Sequence, residues 1–254
     1  RRSSDLTSVN DYKQFANTFY SWTRDFSSVV YDGTHSDKRS DLITYQSYNE
    51  FSRGINSIPS SDANYTDNYK HIRRTNLLLQ NAEAYAKPED IKQYIGEAYF
   101  FRAYSYFDLL QLYGDVIITK KPLDITDPEM KVKRNDRSEV VDLIIDDLNH
   151  AVENLPAFKE LTTEEEGRIS KEGAQAFLSR VALYEGTWQK SRNGNQNTQR
   201  SANLLDIAAK AARTVIDAKY GYTFRLFGTD SETKILGDSA QKYMFILENE
   251  KSNP

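Results

Sequence analysis

The chain has 254 residues, enough for one large domain or two small ones, and its 39% hydrophobic and 28% charged residues are those of a folded globular protein. A net charge of −4 argues against nucleic acid as a main partner, because phosphate binding calls for a basic stripe. Cysteine is absent, which removes disulfides, thiolate nucleophiles and cysteine metal sites together, and no apolar run reaches the ~20 residues of a membrane-spanning helix.

The first element is helical. In VNDYKQFANTFYSWTRDF the residues Tyr12, Phe15, Ala16, Phe19 and Trp22 recur at steps of three and four, and Ser8 or Asn10 is placed to cap the start. Residues 27–62 lose this period. They are rich in Ser, Asp, Asn, Tyr and Gly and read as a long irregular excursion with a short helix near 47–55, a length of loop that is usually functional. Order returns in 65–85, with Tyr65, Tyr69, Ile72, Asn76 and Leu79 on one stripe.

Pro88 suits the first turn of the next helix, 89–113, and Gly114 suits its C-terminal cap. This helix, IGEAYFFRAYSYFDLLQLYG, has no polar face of useful width. Such a helix has neighbours on several sides, and Glu97 and Arg102 within it are expected to be buried, each bonded to a neighbouring helix or loop, because an unpaired buried charge costs several kcal/mol.

The segment KVKRNDR (131–137) reads as a solvated connector. A capping box, Asp136 to Glu139, opens the helix 138–154, whose stripe is Val140, Ile144, Leu148, Ala151 and Leu155, and Pro156 stops it. A helix over 170–187 carries Ala174, Phe177, Leu178, Val181 and Tyr184, and Gly186 is expected to end it. The last helix, 202–218, has a small-residue face of Ala208, Ala211, Ala212 and Val215. Residues 221–254 form an irregular end with strand-like pieces, YGYTFRLF and KYMFILE. The fold class is therefore all-α: stacked antiparallel helix pairs in a tetratricopeptide-like array, with short strands near the C-terminus.

Catalytic constellations are thin. The acids of LTTEEEGR (161–168) sit in a polar setting and read as a solvated loop, and one of Asp146 and Asp147 must face solvent. His35, His71 and His150 are too scattered for a triad or a zinc site, and His150 with Asp146 reads as a surface ion pair. RNGNQN (192–197) is a flexible connector rather than a phosphate loop, and Trp22 and Trp188 on helical faces read as core. The chain is read as no enzyme, with no cofactor and no metal site.

Several segments resemble one family. GEAYFFRAYSYFDLLQLYGDVII is similar to the signature helix of SusD/RagB proteins through Glu97, Ala98, Phe100, Arg102, Ala103, Phe107, Leu109, Tyr113, Gly114, Asp115 and Val116. Tyr99 stands where that family usually has an Arg, and Ile117 where it usually has Pro. YKHIRRTNLLLQN resembles the upstream helix with its internal Asn, here Asn76. Arg134, Glu139, Val140, Asp147, Leu148, Ala151, Leu155 and Pro156 match a third segment, and Gly167, Arg168, Ala174, Ala176, Leu183, Tyr184 and Gly186 a fourth. Order and spacing agree from about residue 64 to about residue 225.

The resemblance implies a single SusD-like helical domain over 1–254, non-catalytic, capturing a glycan or other nutrient at the cell surface. Its partner would be a SusC-like TonB-dependent outer-membrane transporter. It would be an outer-membrane lipoprotein, meeting the membrane only through a lipid anchor that this chain does not carry. The start RRSSDLTSVND and the end MFILENEKSNP lead to the expectation of a trimmed product, the amino-terminal half of a longer protein. The ligand is expected against the excursion, because a loop can present rings and polar groups without disturbing the helical packing; Arg39, Asp41, Tyr45 and Tyr48 are the candidates. Glu97, Arg102, Tyr113 and Gly114 are read as structural. The alternative is a helical-repeat scaffold for a peptide or protein partner, and a third reading, an all-helical carbohydrate enzyme, would require turnover of a glycan.

Overall fold

Several helices start where a side-chain oxygen meets their free amides. A computed structural model describes residues 6–23, 50, 53–55, 57–124, 126–192 and 198–224, and helix, including short 3-10 turns, takes up 71% of these. The helices are α1 (Val9–Asn17), α2 (Ala63–Glu83), α3 (Lys92–Tyr113), α4 (Arg137–Asn154), α5 (Lys171–Arg192) and α6 (Thr198–Ile216). Ser8 caps α1 in a reciprocal box with Asp11, Asp62 caps α2, and the expected box of Asp136 and Glu139 opens α4. Pro88 begins a 3-10 turn, Pro88–Ile91, that leads into α3, and Gly114 ends that helix with φ +73°. Among the described residues the only β-pairing is an isolated bridge, Val116 to Asn135.

The chain divides into two compact units, 1–155 and 156–254. In the first, α3 is the centre. No residue of Lys92–Tyr113 is exposed, which is why the aromatic helix shows no polar face. On one side α2 runs antiparallel to it: Tyr113 at the end of α3 donates to Asp62 at the start of α2 (2.6 Å), and Asn68 donates to Asp108 (2.9 Å). On the other side α4 is also antiparallel. The Arg137 amide donates to Asp115 (2.9 Å), and Gly96 lies so close to the end of α4 that an added Cβ would stand 2.9 Å from the Leu155 nitrogen. Phe101 is fully buried and receives Phe19, Tyr20 and Trp22 from the 3-10 turn Thr18–Trp22 that follows α1. A ring buried this completely contributes ~1.5–3 kcal/mol.

In the second unit α5 and α6 are antiparallel, tied by Gln175 to Tyr220 (3.1 Å), Ser179 to the Ala208 carbonyl (2.9 Å) and Ser201 to the Gly186 carbonyl (2.8 Å). Here one boundary differs from expectation. Gly186 does not end the helix; α5 continues to Arg192. A Cβ at Gly186 would stand 2.9 Å from the Leu205 side chain and 3.3 Å from its nitrogen, so the glycine permits a close helix approach rather than a left-handed cap. Thr163–Glu165 form a short 3-10 turn in which Glu165 accepts from Thr162, a structural cap. The expected strands of the C-terminal end and the short helix near 47–55 fall largely outside the described residues.

Candidate functional site

The buried charges of α3 are the starting point. Arg102 is 5% exposed and donates through Nε and Nη2 to both carboxylate oxygens of Asp147 on α4 (2.8 and 2.6 Å), and through Nη1 to the Asn76 side-chain oxygen on α2 (2.8 Å). Two parallel bonds of this kind suit a planar guanidinium and a carboxylate. Burial works against the arginine charge, and Asp147 overcomes it, so the Arg102 pKa lies above its ordinary value; burial raises that of Asp147, opposed by Arg102. Both carboxylate oxygens of Asp147 are held by guanidinium N–H groups, so each charge of the pair faces its partner. Glu97, fully buried as expected, accepts from Gln93 one turn earlier on its own helix (3.5 Å). Of the adjacent acids of α4, Asp147 faces inward and Asp146 is largely exposed, with His150 3.8 Å away.

The network continues outward. The Asn76 amide donates to the carbonyls of Thr119 (2.9 Å) and Lys121 (3.3 Å) in the connector after α3. Tyr106, fully buried on α3, accepts from the Thr119 amide (2.8 Å), and Tyr69 donates to the Ile117 carbonyl (2.8 Å). Burial and the neighbouring Tyr65 hold the Tyr69 hydroxyl well above its ordinary pKa, so it remains a donor. A backbone segment outside regular structure is thus fixed by side chains of α2 and α3.

That segment forms one wall of a groove of about 460 Å³. Every second residue, Ile117, Thr119, Lys121 and Leu123, lines it, joined by Glu129 and Met130. The other wall is one stripe of α2: Tyr65, Thr66, Tyr69, Lys70 and Arg73. The two tyrosine rings stand 4.8 Å apart, and Tyr113 packs edge-on against Tyr65 at 5.2 Å. Each cation at the rim has an acid nearby: Lys70 with Asp67 (2.7 Å), Lys121 with Glu129 (2.8 Å), and Arg73 with Asp124 (4.0 Å). The groove therefore offers ring faces, apolar side chains and paired polar groups without a strong excess of either charge, the make-up of a binding site for a neutral polar molecule. Among the described residues no group of His, Asp or Glu is placed to hold a metal ion.

The candidates Arg39, Asp41, Tyr45 and Tyr48 lie outside the described residues. Glu97, Arg102, Tyr113 and Gly114 occupy the buried and helix-ending positions given above. In the sequence Tyr65 and Tyr69 share the helical stripe of 65–85 and Tyr65 also closes the ring-rich excursion, whereas Lys121, Glu129 and Met130 carry no local signal. The signal available was the step of four from Tyr65 to Tyr69 to Arg73, which places rings and a cation on one helix face. Trp22 and Trp188 are half-buried rather than core: Trp22 stacks on His71 at 4.1 Å, and Trp188 lies 6.3 Å from Tyr184 beneath Arg192.

Relatives place this architecture in a family. A SusD-like protein of Formosa agariphila is 33% identical over 133 residues, 51% of this chain and 25% of that protein, and a SusD-like protein of Bacteroides ovatus is 29% identical over 123 residues, 48% and 20% respectively. The matched regions span a quarter or less of the length of these relatives. Among solved structures, a SusD-like protein of Bacteroides fragilis superposes with a TM-score of 0.66 at 26% identity, over 91% of this chain and 41% of that one. A laminarin-binding SusD-like protein superposes at 0.54 and 27%, over 69% and 35%. The family model described as starch-binding and associating with the outer membrane matches residues 4–183, and the chain, a tetratricopeptide-like helical array, belongs to this SusD-like family.

Proposed function

We propose that the protein captures an oligosaccharide without cleaving it, with the Tyr65–Tyr69 groove as a contact surface. The carrying observation is the groove itself: two tyrosines and ion-paired polar groups face a wall held in place by the buried network around Arg102 and Asn76. Sugars present C–H faces to rings and hydroxyls to such paired polar groups, so binding needs no pKa-tuned carboxylate pair. The family description names starch and one structural relative is named for laminarin, which makes glucan oligosaccharides the first class to test. In this reading the excursion contributes Arg39, Asp41, Tyr45 and Tyr48 to the same ligand. The protein would work at the outer-membrane surface, held there by a lipid anchor, and pass the glycan to a SusC-like transporter. Among the described residues no helix is long and apolar enough to cross a membrane.

Calorimetry against starch- and laminarin-derived oligosaccharides tests this. Tyr65→Ala is expected to weaken binding by ~1 kcal/mol, about fivefold, on the scale of aromatic contacts, and the Tyr45→Ala/Tyr48→Ala pair by at least as much. Binding of a glycan that survives both changes at full strength would move the site elsewhere. Release of shortened products from the oligosaccharide would make the protein an enzyme instead.

A further inference from the structure

The groove wall that follows α3 has no ladder of its own. Among the described residues the nearest β-pairing is the single bridge from Val116 to Asn135, just before Ile117. Backbone groups of 117–123 are met by side chains instead, and two sets of them can be told apart. Tyr69 donates to the Ile117 carbonyl (2.8 Å) and Arg73 to that of Leu123 (3.4 Å), and both residues line the groove themselves. Asn76 and Tyr106 bond the same segment without lining the groove; the first is 1% exposed and the second fully buried.

The second set converges on Thr119. The Tyr106 hydroxyl accepts from the Thr119 amide (2.8 Å) and donates to the Thr119 carbonyl (3.3 Å). Asn76 donates to that carbonyl (2.9 Å) and to the carbonyl of Lys121 (3.3 Å). Burial raises the pKa of the Tyr106 hydroxyl against the opposing bonds of Thr119, so the group keeps the proton it donates. Thr119 is itself buried, and without the hydroxyl its amide would be left with no acceptor away from bulk water. The alternation of Ile117, Thr119, Lys121 and Leu123 toward the groove passes through this peptide. A turn of it would carry Thr119 and Lys121 off the wall.

We propose that Tyr106, with Asn76 beside it, is a positioning residue for the groove: from behind the wall it holds Thr119 and Lys121 facing the Tyr65–Tyr69 rings, and thereby sets the affinity for a ligand it never touches. The inference rests on the oligosaccharide reading of the groove. Its physical basis is pre-organisation. A wall already fixed in the free protein needs no ordering when the sugar arrives, whereas a loosened wall must be ordered at the expense of binding.

Tyr106→Phe is the cleanest probe, because it removes the hydroxyl and leaves the buried ring. Calorimetry with the starch- and laminarin-derived oligosaccharides should show binding weakened about fivefold, the scale of ordering one or two side chains on association. Hydrogen exchange over 117–123 in the ligand-free variant should be faster than in the parent. Ile144→Val, a methylene lost from the buried face of α4, should lower the Tm and change neither affinity nor this exchange. The proposal is overturned if Tyr106→Phe binds as the parent does while Tyr65→Ala loses affinity, an outcome that keeps the groove as the site. It is equally overturned if Ile144→Val weakens binding as much as Tyr106→Phe, which would make general stability the cause, or if exchange over 117–123 does not change. Should the parent bind none of these oligosaccharides, the glycan reading is what fails, and the exchange data alone judge whether Tyr106 holds the wall.

Discussion

The two units hold their helices together by different means. In the first, α3 is enclosed by α2 and α4, and the contact is keyed by a charged cluster, Arg102 with Asp147 and Asn76. In the second, α6 buries only one face, Ser201, Leu204, Ala208 and Ala211, and the contact with α5 depends on close approach: Gly186 beneath Leu205, and serine hydroxyls on opposing carbonyls. The difference lies in what a single change leaves behind. Removing a member of the cluster strands a charge away from water, whereas enlarging a small residue only forces two helices apart. The cluster also reaches the groove wall through Asn76, so in the first unit packing and site are mechanically one structure.

The largest effect should come from Asp147→Leu, which leaves the Arg102 guanidinium buried without its carboxylate. A loss of ~3–5 kcal/mol in denaturant unfolding is expected. Arg102→Leu should also lower the Tm while ligand preference stays as it was; a collapse of affinity at constant Tm would make Arg102 a ligand residue. Combining Arg102→Met with Asp147→Leu should cost less than Asp147→Leu alone, because no charge is left behind. If the double change were the worse of the two, close packing rather than charge would govern this unit as well.

Next come the glycines at close contacts. Gly96→Ala would set a Cβ 2.9 Å from the Leu155 nitrogen and 3.1 Å from the Asn154 carbonyl carbon. Backbone there cannot swing aside, and a loss of ~1–3 kcal/mol is expected. At Gly186 the nearest atoms belong to the Leu205 side chain, which has more room to shift, and the helical preference of Ala over Gly, ~1 kcal/mol, offsets part of the cost. Gly186→Ala should therefore be the milder of the two in thermal melts, and the reverse order would show that the second unit is the more rigid.

The smallest effect is a pH dependence confined to the first unit, since the second contains no histidine. His71, stacked on Trp22, has its pKa lowered from 6.5 to about 4, first by burial and then, against the pull of Asp67, by Arg74 and Lys70. The unfolded chain takes up the proton first as pH falls. Stability is thus lost between pH 6.5 and about 4 and levels off below that. Because His71 is only half-buried, solvent screens much of this, and about 1 kcal/mol is expected. Comparing unfolding of His71→Gln with that of the parent across this range isolates the term from the carboxylates titrating nearby. Equal slopes would remove His71 from the account.

Much of the helical frame was legible in the residues. Periods of three and four located α1 to α6, and Ser8, Asp136, Pro88 and Gly114 marked their ends, because capping and φ restrictions act within a few residues of one another. The burial of Glu97 and Arg102 followed from the lack of a polar face on their helix. The groove was not legible, because its walls come from residues some fifty positions apart in the chain, such as Tyr69 and Ile117.

Residues near one another in the chain therefore sufficed for local features: where helices begin and end, which helix lies at the centre, and the family to which the signature residues belong. Tertiary structure decided the rest. It assigned Asp147 rather than Asp146 to Arg102, turned Gly186 from an expected stop into a contact between helices, and set every second residue of the connector opposite the Tyr65 stripe. The reason is physical. Backbone periodicity and capping depend on neighbours along the chain, whereas the choice between two adjacent acids, or between two roles for a glycine, depends on which helix stands opposite.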